Sequence, residues 1–344
     1  MSANSPTQKE VAKSLSITQT VKFGWFRYQS GLEGPYYFDL RSLPNFPDHF
    51  RTILQAYGEQ AERLTPGSYV VMGVPEAGSV FATGVGVLQE RPYALVQKDQ
   101  DILSNMFSGI CPDTLLEDLN DFLGRQGLKN PLITSTGYGV SLATTVGLKM
   151  GKPTAIVRET QKKYGLGRQI EADLSLLKEY GVDGVVFLQP DFIDERVGNK
   201  VFEFMQEYCH SADSSLPLHQ KIVTGTSDQP LFSTNVFAQT LQQGVKDIFL
   251  LEDLFTTGQS SIKIAQRVID YCDSLGYEDT RVTVIGLVDR EEGASENFSN
   301  AGISCKAVFT VTELTSTMLE LGLMSDEQFD KINTYINERR QSLI

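Results

Sequence analysis

The sequence predicts an open, mostly parallel α/β sheet with flanking helices. Three observations carry that reading. Short apolar runs at 69–72, 184–188, 248–251 and 282–288 alternate with segments whose apolar residues recur at helical spacing. A strand–turn–helix–strand unit at 73–100 recurs at 134–161. Gly78, Ala82, Thr83, Gly86, Pro92, Ala94, Val96 and Gln100 match Gly139, Ala143, Thr144, Gly147, Pro153, Ala155, Val157 and Gln161 at one constant offset. Finally, the run Ile248, Phe249, Leu250, Leu251 ends in the paired acids Glu252 and Asp253. It then turns through Thr256, Thr257 and Gly258 into a helix marked by Ile262, Ala265, Val268 and Ile269.

Taken in order, residues 1–20 are polar, with Val11, Leu15 and Ile17 on one face of a short helix. Over 21–41 aromatic and polar residues alternate, and the breaks at Ser30-Gly31 and Gly34-Pro35 make this a hairpin. A helix over 46–64 leads to the strand at 69–72. The turn Gly73-Val74-Pro75-Glu76-Ala77-Gly78 opens a helix through Ala82, Val85 and Leu88. Two glycines around a proline permit a tight backbone with bare N–H groups, as a pyrophosphate needs; a plain strand–helix turn is the competing view. A strand at 93–96 and a crossover helix at 113–126 precede the second copy of the repeat.

That copy ends in Arg158, Lys162, Lys163 and Arg168 around Gly165 and Gly167. In an acidic chain such a run suits a mobile anion clamp, whereas a solvated basic loop is the plain alternative. The first copy offers only Lys98 among Gln97, Asp99 and Asp101, whose charges repel pyrophosphate, so the second copy is the expected source of catalytic cations. Residues 171–244 read as an insertion that extends the sheet or caps the site. It holds a helix at 174–180, a strand at 184–188, a helix at 197–208 and a polar loop.

The stretch from Glu252 to Ser261 suits a phosphorylated sugar. Backbone N–H groups at a helix start bind phosphate, and the carboxylates suit ribose hydroxyls or a Mg²⁺ ion that keeps most of its waters. Capping by one hydroxyl residue is the alternative, and it does not account for the whole run. Arg290 follows the strand at 282–288 closely, where a planar bidentate clamp is well placed; a solvated helix start is the plain alternative. A strand at 307–311 and a helix from Thr312 follow. The last helix opens on a capping box, Ser325 with Gln328, and turns Phe329, Ile332 and Ile336 inward.

Composition narrows the function. The 344 residues suffice for one large or two ordinary domains, and 41% hydrophobic with 21% charged residues suit a soluble globular chain. A net charge of −13 argues against nucleic-acid or anionic-membrane partners. No apolar run is long enough to span a bilayer and the N-terminus lacks a signal-peptide core, so a cytoplasmic protein is expected. Four scattered cysteines and three histidines show no metal-ligand spacing, which argues against a His-based metal or nucleophile site.

Several stretches resemble orotate phosphoribosyltransferases. The hairpin carries Lys22-Phe23-Gly24, Ser30-Gly31, Pro35-Tyr36-Tyr37, Asp39 and Arg41, similar to that family's N-terminal hood. The turn at Gly73 to Gly78 resembles its pyrophosphate loop. Arg158, Lys162, Tyr164 and Gly165 resemble its catalytic loop, Glu252 to Ser261 the phosphoribosyl-pyrophosphate (PRPP) motif of type I phosphoribosyltransferases, and Asp289-Arg290 with Gly293 its C-terminal signature. The motifs occur in family order over about half of the chain. Gln29 and Glu159 stand where the family has lysines.

The resemblance implies a type I phosphoribosyltransferase-like sheet with a hood, and transfer of phosphoribosyl from PRPP to orotate with Mg²⁺. Lys162, Arg158 and Asp253 would be catalytic. PRPP would be held by Val74, Pro75, Gly78, Glu252, Asp253, Thr256, Thr257, Gly258, Gln259 and Ser260, orotate by Arg290 and Phe38, and the metal by Glu252 and Asp253. A homodimer is implied, with loops crossing between subunits. The expected segments are 1–66, 67–170, 171–244 and 245–344. A PRPP- or nucleotide-sensing regulator, or a phosphoribosyltransferase for another base, are the alternatives.

Overall fold

The computed structural model describes residues 8–28, 31–96, 108–109, 113–137, 139–158, 169–191, 193–211, 216–225, 232–233 and 236–341. In chain order the elements are α1 (Gln8–Ile17), β1 (Val21–Arg27), β2 (Glu33–Phe38), a 3₁₀ turn (Leu40–Asn45), α2 (Pro47–Leu64), β3 (Tyr69–Gly73), α3 (Ala77–Gln89), β4 (Tyr93–Leu95), β5 (Ser108–Gly109) and α4 (Asp113–Gln126). There follow β6 (Leu132–Thr136), α5 (Gly139–Met150), β7 (Thr154–Val157), α6 (Leu174–Glu179), β8 (Val185–Pro190), α7 (Glu195–Ser211), β9 (Leu218–Val223), β10 (Phe232–Ser233) and α8 (Val236–Gln242). The chain ends with β11 (Asp247–Phe255), α9 (Gln259–Ser274), β12 (Arg281–Asp289), α10 (Ala294–Asn300), β13 (Ser304–Thr310), α11 (Val311–Glu320) and α12 (Asp326–Gln341).

The chain divides into two compact units. Unit 1 comprises residues 1–40, 51–108 and 234–344, and unit 2 comprises 41–50 and 109–233. The segments expected from the sequence therefore do not match the division. The second copy of the repeat joins residues 171–233 in one unit, and the N-terminal hairpin joins the PRPP stretch in the other.

Unit 1 holds a parallel five-stranded sheet in the order β13-β12-β11-β3-β4, with the antiparallel β1–β2 hairpin beside it in the chain. β3 is buried at every residue, as expected of an apolar run covered on both faces. α9 packs Ile264, Ala265, Val268 and Cys272 into a core with Ile248, Leu250, Val282 and Val284. Helices α11 and α12 are fixed at their starts. Thr310 and Glu313 form one capping box, and Ser325 and Gln328 exchange the two bonds of the expected second one at 3.2 and 2.9 Å. Ile332 and Ile336 are buried as expected, and Phe329 is half-buried.

Unit 2 has its own parallel sheet, β7-β6-β8-β9. Residues 171–233 thus do not extend the first sheet: β8 pairs with β6. β9 falls where a polar loop was expected. It is an edge strand, and His219, Gln220 and Lys221 are only partly covered, so it lacks the apolar signature of an inner strand.

Strand for strand, β7-β6-β8-β9 repeats β4-β3-β11-β12 in order and direction. The shared glycines play the same part. A Cβ on Gly86 would meet the Tyr93 ring at 2.5 Å, and one on Gly147 would meet Thr154 Cγ2 at 2.0 Å; Tyr93 and Thr154 are themselves matching positions of the repeat. Gly147→Ala should therefore destabilise the protein by about 1–3 kcal/mol through overpacking. Denaturant unfolding checks this, and an unchanged midpoint would show that α5 can shift away from β7 freely.

Candidate functional site

The site expected for PRPP is built where β3 ends and β11 continues. The strand predicted to stop at the acids runs on to Phe255. β3 pairs with it only as far as Leu251↔Gly73, while β12 pairs with it to Phe255↔Asp289. Glu252 and Asp253 thus lie on a length of β11 that β3 does not border. The chain leaves β3 and β11 toward opposite sides of the sheet, which makes this the switch point at which open α/β sheets take ligands.

The turn after β3 closes tightly on β11. Val74 N–H donates to the Leu251 carbonyl at 2.9 Å. A Cβ on Gly78 would lie 2.0 Å from that same oxygen, and one on Gly73 would lie 2.3 Å from the Ser79 backbone. Only glycine fits at either place. Glu76 begins α3 without a side-chain cap, and the Pro75–Glu76 peptide bond is cis.

α9 also starts without a side-chain cap, at Gly258 with φ +73°. A Cβ there would meet the Phe298 ring at 2.8 Å. The preceding turn is held by Asn297, which donates to the Thr257 carbonyl at 2.9 Å. Two helix starts, both bare of capping side chains, therefore open at the carboxyl ends of β3 and β11. Orphan N–H groups at such starts favour anions.

Thr257, Gln259 and Ser260 are exposed, and Thr256 is half-buried. Ser261, the last residue of the stretch read as the sugar-phosphate site, is buried and donates to a Glu252 carboxylate oxygen at 2.9 Å, tying strand to helix. Tyr57 was missed. Fully buried, it donates to the Glu252 carbonyl at 2.5 Å. Burial, followed by the charges of Asp253 and Glu252, raises its phenol well above the usual range, so it stays a donor. Tyr57 carries no local signal, since it acts on Glu252 across a long sequence separation.

Arg290 is fixed by its backbone and by the loop after it. Its N–H donates to the Phe255 carbonyl at 3.0 Å. Asp289 accepts from Glu291 N–H at 2.8 Å, and the Glu291 carboxylate accepts from Thr312 N–H and hydroxyl at 3.0 and 2.6 Å and from Arg340. The Arg290 side chain is 6% exposed. Its guanidinium carbon lies 3.8 Å above the Tyr28 ring and 5.3 Å from that of Tyr36, and Glu292 is 2.7 Å from one of its nitrogens. Burial raises the Glu292 carboxyl, against the opposing effect of Arg290 and Arg339. Phe38 is buried at the end of β2, edge-on to Tyr36 at 5.2 Å.

Unit 1 alone therefore brings together Val74, Pro75, Gly78, Glu252, Asp253 and the Thr256–Ser260 turn, and it also holds Arg290 and Phe38. Arg158 belongs to unit 2, where it donates to Glu171 at 2.8 Å; both side chains are nearly buried. It sits beside the bridge that Val157 and Ile170 form. Lys162, Lys98, Gln29 and Glu159 lie outside the described residues.

The counterpart of the PRPP turn in unit 2 is the β8–α7 connection, and its chemistry is reversed. Where Gly258 leaves α9 bare, Asp194 caps α7, accepting from Arg196 and Val197 N–H at 2.9 and 3.4 Å. The adjoining cavity of about 380 Å³ is lined by Gln189, Asp191, Asp194, Glu195, Asn199 and Gln220 among others. An acidic, self-capped helix start disfavours phosphate.

Fold and crevice first define a class: an open parallel α/β protein whose switch point suits an anionic sugar phosphate. No family model matches the chain. Among individual proteins it is similar to orotate phosphoribosyltransferases. That of a Nostoc species is 39% identical over 82 residues, which cover 24% of this chain and 36% of the relative. That of Sulfolobus acidocaldarius is 20% identical over 327 residues, covering 95% of this chain and 96% of the relative. The chain thus spans well under half the length of the first relatives it matches. Among solved structures, the UMP synthase of Leishmania donovani aligns with 96% of this chain and 42% of its own, at 14% identity and a TM-score of 0.47.

The bare start of α9 generates a prediction. Gly258→Ala should cost about 1–2 kcal/mol from its left-handed backbone alone, with the clash at Phe298 in addition. Thermal unfolding and phosphate binding, measured on the same protein, should both weaken. Unchanged phosphate binding in a destabilised variant would separate the α9 start from the anion site.

Proposed function

We propose that this chain is an orotate phosphoribosyltransferase, transferring phosphoribosyl from PRPP to orotate to give orotidine monophosphate and pyrophosphate. The observation that carries the reading is the switch point at Glu252, where β3 no longer borders β11 and two uncapped helix starts and the glycine-bound turn of Val74 to Gly78 meet. The similarity to orotate phosphoribosyltransferases supports it.

The bond between C1′ and the pyrophosphate oxygen breaks, the bond from C1′ to the base nitrogen forms, and C1′ is positively charged in between. N–H groups of the α9 start hold the 5′-phosphate, and the turn after β3 holds the pyrophosphate. Glu252 and Asp253 face the ribose and favour the cationic carbon. Arg290 takes the carboxylate of the base.

Mg²⁺ is part of the proposal. The carboxylate oxygens of Glu252 and Asp253 suit a hard cation; one Glu252 oxygen already accepts from Ser261 at 2.9 Å and the other from the Asp253 N–H at 3.3 Å. Among the described residues no group of three or more His, Cys, Asp or Glu could hold a metal. An ion held by Glu252 and Asp253 would take its remaining ligands from water and phosphate oxygens. When bound, it would neutralise charge on the leaving pyrophosphate. A homodimer and a cytoplasmic setting belong to the same proposal; no described helix is long and apolar enough to cross a membrane.

A PRPP-sensing regulator is the second reading, favoured by the engagement of Arg290 with Glu292. A turnover assay with PRPP, Mg²⁺ and orotate, with other bases as controls, separates the two. Calorimetry should give one PRPP per chain, because the unit 2 counterpart is acidic and self-capped. Asp253→Asn should weaken PRPP at least tenfold, about 1.4 kcal/mol. Undiminished binding in that variant would remove β11 from the site, and two sites per chain would show that unit 2 also binds.

A further inference from the structure

Arg290 has a protein partner, and the pairing is incomplete. Nη2 lies 2.7 Å from Glu292 Oε1, yet neither atom makes an aligned hydrogen bond, and the Tyr335 hydroxyl in the same cluster makes none either. Buried polar atoms are nearly always satisfied by aligned bonds. A guanidinium whose Nε reaches only the Tyr36 hydroxyl, at 3.4 Å, and whose Nη2, with two neighbouring oxygens, lacks an aligned bond therefore marks a pocket whose bonding the protein alone does not complete. Its walls are aromatic: Tyr335 of α12 lies 6.4 Å from Tyr28 and 6.0 Å from Tyr36, and Tyr28 carries the guanidinium on its face. A guanidinium is best satisfied by a planar carboxylate taken bidentately.

We propose, resting on the reading that Arg290 receives the carboxylate of a base, that Glu292 is the internal stand-in for that carboxylate. The ligand then enters by exchange, and a base without a carboxylate is rejected. A carboxylated base replaces one anion by another at Arg290. A neutral base that displaces Glu292 leaves a buried cation without its counter-charge, a strongly unfavourable outcome. The discrimination thus comes from what the wrong ligand would leave behind as much as from what the right one gains.

The displaced carboxylate has somewhere to go. Arg339, one turn along α12 from Tyr335, already acts on Glu292 electrostatically. The other groups acting on Glu292 are Arg290 and Asp289, and Tyr28, Tyr36 and Tyr335 complete the cluster around the guanidinium. Glu292 itself is placed between Glu291, at φ +61°, and Gly293, at φ +91°, in a loop anchored on Thr312.

The test uses Glu292→Gln in the full chain, with two readouts. Orotate should bind roughly tenfold more tightly than to the unaltered protein by calorimetry, with KM falling and kcat not rising. In ligand-free protein, labelling by phenylglyoxal read by peptide mass spectrometry should be several-fold faster at Arg290 than in the unaltered protein. If Glu292→Gln does not fold, Glu292→Asp, which keeps the charge but withdraws it by one methylene, carries both measurements in the same direction. Equal labelling and equal or weaker orotate binding would overturn the proposal and leave Glu292 as a positioning residue. Faster labelling with no orotate bound by either protein would support the guarded guanidinium and overturn orotate as its ligand.

Discussion

The carbonyl oxygen of Leu251 fixes the geometry of unit 1. It accepts the Val74 N–H at 2.9 Å, and it leaves no room for a Cβ at Gly78. That double approach brings the turn after β3 onto β11 at the residue where their pairing stops. Beyond it β11 runs on with β12 alone, which is why Glu252 and Asp253 border a crevice and not a third strand. The other end of the same strand extension sets Arg290, whose N–H is bonded to Phe255. The turn after β3, the acids, the α9 start and the arginine are thus indexed to one strand. A shift of β3 against β11 would move them apart.

Features of short range were legible in the sequence. Helical spacing gave α9, continuous apolar runs gave β3, β8 and the core of β12, and Ser325 with Gln328 gave the start of α12. The repeat was legible too, because matched glycines report close approaches, and Gly86 and Gly147 do make the same one. The partners of charged residues were not legible. Arg158 reads as a loop cation by its neighbours in the chain, but the fold spends it on Glu171. Ser261 closes the expected stretch as one more hydroxyl residue, but its part in tying α9 to Glu252 shows only in the fold. β9 was hidden because an edge strand needs no apolar alternation.

The two units separate fold from chemistry. Both carry the same four-strand order, and both keep the glycine that lets the helix lie against the last strand of the repeat. They differ at the turn after the third strand of the chain order, where one has Thr256-Thr257-Gly258 and the other ends in Asp194. A glycine leaves the N–H groups of the helix to a ligand, whereas an aspartate consumes them and adds negative charge. A few side chains at one turn therefore decide whether the scaffold suits a phosphate. The sequence match between the copies, which lies upstream of that turn, carries no information about it.

Burial gives the base end of unit 1 its logic. A guanidinium at 6% exposure requires an anion, and with or without a ligand some carboxylate must supply it. In this structure Glu292 does so, two residues along the chain and held by its own loop. An arginine on the surface would need no such companion, and water would serve any base equally. Because Arg290 is sunk among Tyr28, Tyr36 and Tyr335, the alternatives are limited to ligands that bring their own negative charge. On the proposed reading the aromatic hairpin does more than cover the site: by excluding water it would convert one arginine into a test of charge.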